Sequence, residues 1–451
     1  MTAKKKIPKW PFAVAGVFLL LVGALAAMAT SRNRVGGPKA WDPKVTELVA
    51  FVEDSRGLRF KRPVTIKYLN DTEFEAWLGR GDEGDADANT FVAEEALGLV
   101  EGGYDPNAGV TGRRNGTVGV YSPNDRTIRV RGTELTPYVQ LVLAHELTHA
   151  LQDQHFNLGK VQQKAKTETQ YLGVNAVVEG DATLVETDWY YSIDEADQDA
   201  IAEFEDSLND ENDDFPAGLG AKYSLPYALG DEFVMVTSAR STTARDDLFR
   251  NPPLNSVVLI DPSRYDDGSS DVTIKKPDVS DAIKDAPDEV GATLWFLALA
   301  TAAEPADVRA AMSAFASDRS AFTRTGKQVC MEDVVAPVSA ARLEILQEVF
   351  ATWAADDSSR SVTQRGDELL VKSCSIDTRI EYDAFEEDFD EVVARNQLMS
   401  LLLDEGDAAN VRQALCIAET AVENVPLDEL FDIVGNGDTA DLLADITTCP
   451  A

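Results

Sequence analysis

From Pro43 onward, apolar residues at Val45, Leu48, Val49 and Val52 recur at helical spacing. They lead into Pro63-Val-Thr-Ile-Lys-Tyr-Leu69, whose alternation predicts a strand, and then into a second helix around Phe74 and Trp77. Two more alternating runs, Gly116 to Ser122 and Thr127 to Arg131, flank Pro123-Asn124-Asp125 and predict a hairpin offering an edge strand. Thr136 can cap the next helix and Pro137 suits its first turn. Its buried stripe would be Val139, Val142, Leu143, Leu147, Ala150 and Leu151. A longer helix is expected from about Glu168 to Tyr191. The stretch Asp194 to Asp214 carries so much charge that a mobile loop is expected, with calcium as a candidate occupant. From Asp285 the pattern is mostly helical, through Leu294, Leu297 and Leu299, then Leu343, Leu346 and Phe350, closing on a strand from Leu369 to Cys374. Beyond a boundary near Arg379, Leu398, Leu401, Leu402, Leu415 and Ile417 supply the core of a small helical module. The fold class is therefore α+β, and no internal repeat is visible.

The N-terminus changes this picture. Lys4, Lys5, Lys6 and Lys9 precede an uncharged run from Pro11 to Ala29, and Arg32 and Arg34 follow it. As a helix rising ~1.5 Å per residue, the run covers nearly all of a ~30 Å hydrocarbon core, and the lysines favour an inside N-terminus. Residues 1–10 are then expected as a cytoplasmic tail, 11–29 as a transmembrane signal anchor and 30–42 as a linker. Ala27-Met28-Ala29 also offers a cleavage site, which would leave a secreted protein. Acidic residues outnumber basic ones 78 to 41, for a formal charge of -37. Such a chain repels phosphate backbones, so nucleic acid is excluded as a partner and a solvated acidic surface is expected. All four cysteines lie in the C-terminal third. In an exported chain they point to disulfides, and of the three possible pairings the local one is preferred: Cys330 with Cys374 and Cys416 with Cys449.

The chemistry concentrates in Leu143-Ala144-His145-Glu146-Leu147-Thr148-His149. Two imidazoles four residues apart on a helix reach one metal ion from the same face. Zinc is the natural occupant, one per chain, with Glu146 placed to take a proton from water. The chain has only three histidines, His145, His149 and His155, all on or just beyond this segment. Two residues compete as the third ligand. His155 sits at the spacing of the metzincin pattern H-E-x-x-H-x-x-G-x-x-H, but Gln152 stands where that pattern has the turn-forming glycine. Glu179, on the later helix, belongs to a polar stripe with Asn175 and Glu186 through otherwise apolar turns, and a buried carboxylate needs a partner. Glu179 is preferred, with Glu186 a further alternative.

These residues resemble a gluzincin, the zinc-peptidase class in which a second helix donates a glutamate to the H-E-x-x-H pair. Glu179-Gly180-Asp181-Ala182 resembles the E-G-x-A segment of aminopeptidase N-like enzymes, and Pro226-Tyr227-Ala228-Leu229-Gly230 resembles their P-Y-x-x-G segment. With His145 to Phe156 and Asn251-Pro-Pro-Leu-Asn-Ser256, the pattern also resembles uncharacterised bacterial exported zincins over about residues 45 to 375. The resemblance implies a zincin-like domain over 43–378, made of a small mixed sheet with the active-site helix and a mainly helical lower part. The disulfide-stapled module at 379–451 would follow it. It further implies His145, His149 and Glu179 on Zn²⁺, Glu146 as general base, Tyr227 as oxyanion helper, and a peptide or protein substrate. Where many gluzincins carry an aspartate four residues after the glutamate ligand, this chain has Thr183. Asp181 or Glu186 must then support the metal-binding histidines. No motif for reading a substrate amine is evident, which argues against an aminopeptidase. The alternatives are a catalytically silent envelope interaction protein on a zincin scaffold, with the strand near Arg129 aligning peptide in the enzyme reading only, or a zinc hydrolase of a non-peptide amide.

Overall fold

A computed structural model describes residues 38–79, 87–115, 117–211, 215–239, 241, 243–265, 272–355, 357–376, 380–381, 383–446 and 449. The expected tail, anchor and residues 30–37 of the linker lie outside the described residues, and among the described residues no helix is long and apolar enough to cross a membrane. The chain begins with α1 (Thr46–Arg56), β1 (Thr65–Leu69) and α2 (Val92–Leu97), followed by β2 (Gly119–Ser122), β3 (Thr127–Arg131) and α3 (Pro137–Phe156). The strands form a mixed sheet in the order β1-β3-β2, with β1 parallel and β2 antiparallel to β3. Arg129 therefore sits on the central strand, and β2 is the edge beside α3, a correction forced by the parallel pairing of β1, which local sequence does not encode. Val45, Val52, Ile128, Val130, Leu143, Leu147 and Leu151 form the core between this sheet, α1 and α3.

Next come α4 (Glu168–Ser192) and α5 (Glu195–Glu211). The acidic stretch is thus a helix over its described part, not a loop. Asp194 caps it by accepting from Asp197 N at 3.0 Å, and Ile201 is buried in the same core as α3. Helical period decided the matter: Ile201 packs inward, with Glu205 buried one turn on, while Glu195, Asp199 and Glu203 face water.

The lower part is mainly helical, with α6 (Ala217–Ala228), α7 (Gly230–Ser238), α8 (Ala244–Arg250) and the wholly buried α9 (Ala292–Ala300). The mostly helical reading after Asp285 is overturned by β4 (Phe315–Thr325) and β5 (Gln328–Pro337), a long hairpin. After α10 (Leu343–Ala355), β6 (Ser361–Arg365) and β7 (Glu368–Cys374) complete an antiparallel sheet in the order β4-β5-β7-β6. The missed signal was alternation around Thr325-Gly326-Lys327-Gln328: Gly326 has φ +63°, the positive value a two-residue hairpin loop needs at its first position. Both expected disulfides are present, and Cys330 and Cys374 face each other across β5 and β7. The C-terminal helices are α11 (Asp383–Asp404), α12 (Val411–Asn424), α13 (Leu427–Asn436) and α14 (Ala440–Asp445). Helix α11 serves two cores: Phe385, Phe389 and Val392 enter the main one, while Leu398, Met399, Leu402 and Leu403 enter the module's.

One buried pair in the second sheet makes a pH prediction. Asp318 accepts from Val290 N at 2.5 Å and Gly291 N at 3.1 Å, and Asp333 accepts from Ser320 Oγ at 2.8 Å and Trp295 Nε1 at 3.0 Å. Burial pushes both carboxyls up, Asp333 to about 6, and the charge of Asp333 raises Asp318 further. An unfolded aspartate titrates near ~3.9, so folded Asp333 holds an extra proton between roughly pH 4 and 6, and the stability it contributes is lost as pH rises through that window. Asp333→Asn, whose amide can stand in for the shared proton, is expected to gain stability relative to the parent across that window. Urea midpoints of both proteins from pH 4 to 7 check it; a constant difference refutes the shared proton.

Candidate metal centre

The motif helix owes its position to local chemistry at both ends. Thr136 Oγ1 accepts from Val139 N at 3.2 Å, and Asn157 closes the far end in the left-handed region at φ 61°. Between them, Val142 and Glu146 lie against β2 at Gly119, where an added Cβ would come within 2.3 Å of Val142 Cγ1 and 3.1 Å of Glu146 Cγ. Glycine lets the strand lie directly on the helix. Glu146 then accepts a hydrogen bond from Tyr121 N on that strand, and the Tyr121 phenol donates to Asp153 Oδ2 at 3.0 Å, one more tie between strand and helix.

Helix α4 delivers the carboxylates. Its approach to α7 is set by Gly180, where a Cβ would fall 2.1 Å from the backbone of Gly230. The two glycines belong to the two segments singled out in the sequence, so the E-G-D-A and P-Y-A-L-G stretches meet in space. The packing of α4 against α3 places Glu179 Oε2 3.3 Å from His145 Nε2 and 3.1 Å from His149 Nε2. Glu186, two turns further along the same face, lies 2.8 Å from His145 Nδ1, and Gln152 Oε1 lies 3.0 Å from His149 Nδ1. Ligand atoms of His145, His149 and Glu179 all fall within 4.8 Å of one another, and the three side chains are buried. Among the described residues this is the one such group able to hold a metal ion. His155 is elsewhere, its Nε2 2.8 Å from the Arg59 carbonyl.

The electrostatics fit a cation. Burial pulls His145 down, but bonds to Glu179 and Glu186 outweigh it and lift the imidazole to about 10. Burial pushes Glu179 up, yet the charge of His149 and bonds from both histidines hold it at about 2. Positive charge between these groups is strongly favoured, whether protons or a metal supply it. Two ligands at ~2.0–2.1 Å from a tetrahedral ion stand roughly 3.3–3.4 Å apart, close to the observed nitrogen-to-oxygen separations. Two imidazoles and one carboxylate form a donor set suited to zinc.

Tyr227 is buried near the end of α6, its ring stacked on His145 with centroids 6.0 Å apart. Pro226 inside that helix removes the bond to the Lys222 carbonyl, loosening the last turn before Tyr227. On the same helix, buried Lys222 pairs with Glu94 on α2 and with Glu168 at the start of α4. Sequence reasoning had named Glu186 as a candidate ligand or support, and it backs His145. Gln152 was noticed only as a missing glycine; its place three residues after His149, on the same helix face, was the signal. No family model matches the chain, and no curated protein or solved structure matches it significantly.

Proposed function

We propose that this chain is a zinc-dependent peptidase of gluzincin type, one Zn²⁺ per chain on His145, His149 and Glu179, acting on peptide or protein substrates outside the cytoplasmic membrane. The observation that carries the reading is the convergence of that buried ligand group with Glu146 at the edge strand β2. A purely structural metal site has no use for a further carboxylate beside its ligands. Zinc, when bound, supplies Lewis acidity, polarising a carbonyl and acidifying water. Glu146 takes the proton from the attacking water and passes it to the departing amine as the C–N bond breaks. Tyr227, over His145, supports the oxyanion that develops on the carbonyl. Glu186 holds His145 by Nδ1 and leaves Nε2 for the metal.

Zinc content and cleavage of casein test the reading. Zinc near one per chain is expected, with cleavage lost on chelation and restored by zinc. Zinc without cleavage of any peptide would favour a silent scaffold or a non-peptide amide substrate. Absence of zinc after reconstitution would remove the ligand assignment.

A further inference from the structure

Gln152 has no exposed surface, and a buried primary amide must place both its donors and its acceptor. Its Nε2 lies 3.0 Å from the Val178 carbonyl and 2.9 Å from Asp181 Oδ2. The carbonyl only accepts, and Asp181 is kept an acceptor by two guanidiniums, Arg56 Nε at 2.8 Å and Arg245 Nε at 2.8 Å. The amide nitrogen must therefore face these groups, so Oε1 faces His149. An oxygen 3.0 Å from His149 Nδ1 accepts, and Nδ1 must carry the hydrogen. That leaves Nε2 as the nitrogen facing Glu179, the one able to exchange its proton for a metal ion.

From this we infer that Gln152 is a positioning residue which fixes His149 as the Nδ1–H tautomer, and that the buried Asp181–Arg56–Arg245 cluster fixes Gln152 in turn. Metal retention then depends on α1, which carries Arg56, and α8, which carries Arg245, although neither touches the ligands. The chemistry of the pocket explains why the partner is an amide. Glu146, Glu179 and Glu186 already bring three buried carboxylates to the site, and His145 takes Glu186 as its own support. A fourth carboxylate on His149 would add like-charge repulsion, whereas an amide orients the ring without charge. Arg56 also pairs with Asp246 at 2.8 Å, so its guanidinium is held between two acids from different helices.

The inference rests on the metal centre and not on peptide cleavage, so the test reads metal and tautomer directly. In the zinc form of the wild-type protein, long-range ¹H–¹⁵N NMR of its three histidines is expected to show His149 protonated at Nδ1. Gln152→Met is expected to weaken zinc binding by roughly 10–100-fold in competition with a chromophoric chelator. A wild-type spectrum with the proton on Nε2 of His149 overturns the inference, and it needs no variant to fold. Retention of zinc affinity within about twofold in Gln152→Met overturns it as well. Failure of the wild type to take up zinc overturns the metal centre and this inference together, a result distinct from zinc uptake without cleavage, which touches only the peptidase reading.

Discussion

Glu146→Gln is expected to cut hydrolysis by roughly 10²–10⁴-fold while zinc stays near one per chain, the range a positioned general base contributes. The substitution is nearly isosteric, and the glutamine oxygen can still accept from Tyr121 N on β2, so the helix-to-strand contact survives. What it cannot do is bind the proton released by the attacking water. Burial already pushes the Glu146 carboxyl up, and the charges of His149 and His145 only partly counter this, so the group is suited to hold a proton in passing. Rates on a fluorogenic peptide, with metal measured by atomic emission on the same samples, decide the point. A variant keeping a tenth of the parent rate would show that Glu146 is not the base, and a variant that also lost its zinc would show that the substitution had disturbed the ligands instead.

Asp181→Ala is expected to destabilise the apoprotein by about 3 kcal/mol, because it strands the buried Arg56 guanidinium and removes the partner of half-buried Arg245 while leaving both in place. Asp181 is fully buried, and its carboxylate is held ionised against the pull of burial by Arg245 and Arg56. Arg56 is itself buried and keeps one other acid, Asp246; Arg245 keeps only the backbone carbonyl of residue 181 among its contacts at this site. The cluster joins α1, α4 and α8, so its loss loosens the packing of the sheet domain on the helical part. Urea unfolding of metal-free protein measures it, which separates the stability loss from the expected loss of zinc through Gln152. A shift below about 1 kcal/mol would mean that water reaches the guanidiniums and that the cluster is not the clamp described.

How legible all this was depends on the range of the interactions. The α3 stripe, its Thr136 cap and the one-turn spacing of His145 and His149 are properties of a single helix, and they read directly from the residues. The hairpin of β2 and β3, the strand β7 and the two disulfide pairings were likewise visible, since each depends on alternation, turn residues or short loops. Where local reading went astray, period had been set aside in favour of composition. The acidic helix α5 was dismissed for its charge although Ile201 and its neighbours in the stripe could pack, and the β4–β5 hairpin was submerged in a run read as helix.

The sequence by itself determined the α+β class, the helix that carries His145 and His149, the candidate third ligand Glu179 and the residues that could back it, because helical and strand periodicities act over a few residues. Only the tertiary structure decided which candidates meet. Gly180 and Gly230 let α4 and α7 approach to backbone contact, and Glu179 reaches His145 across 34 positions of sequence because α4 crosses α3. The same crossing turns Glu186 onto His145, leaves His155 on the Arg59 carbonyl, and makes Gln152 the support of His149. Side-chain partners of this kind are fixed by helix crossing and burial, where an unmet polar group costs about 1–3 kcal/mol, and no local pattern encodes that.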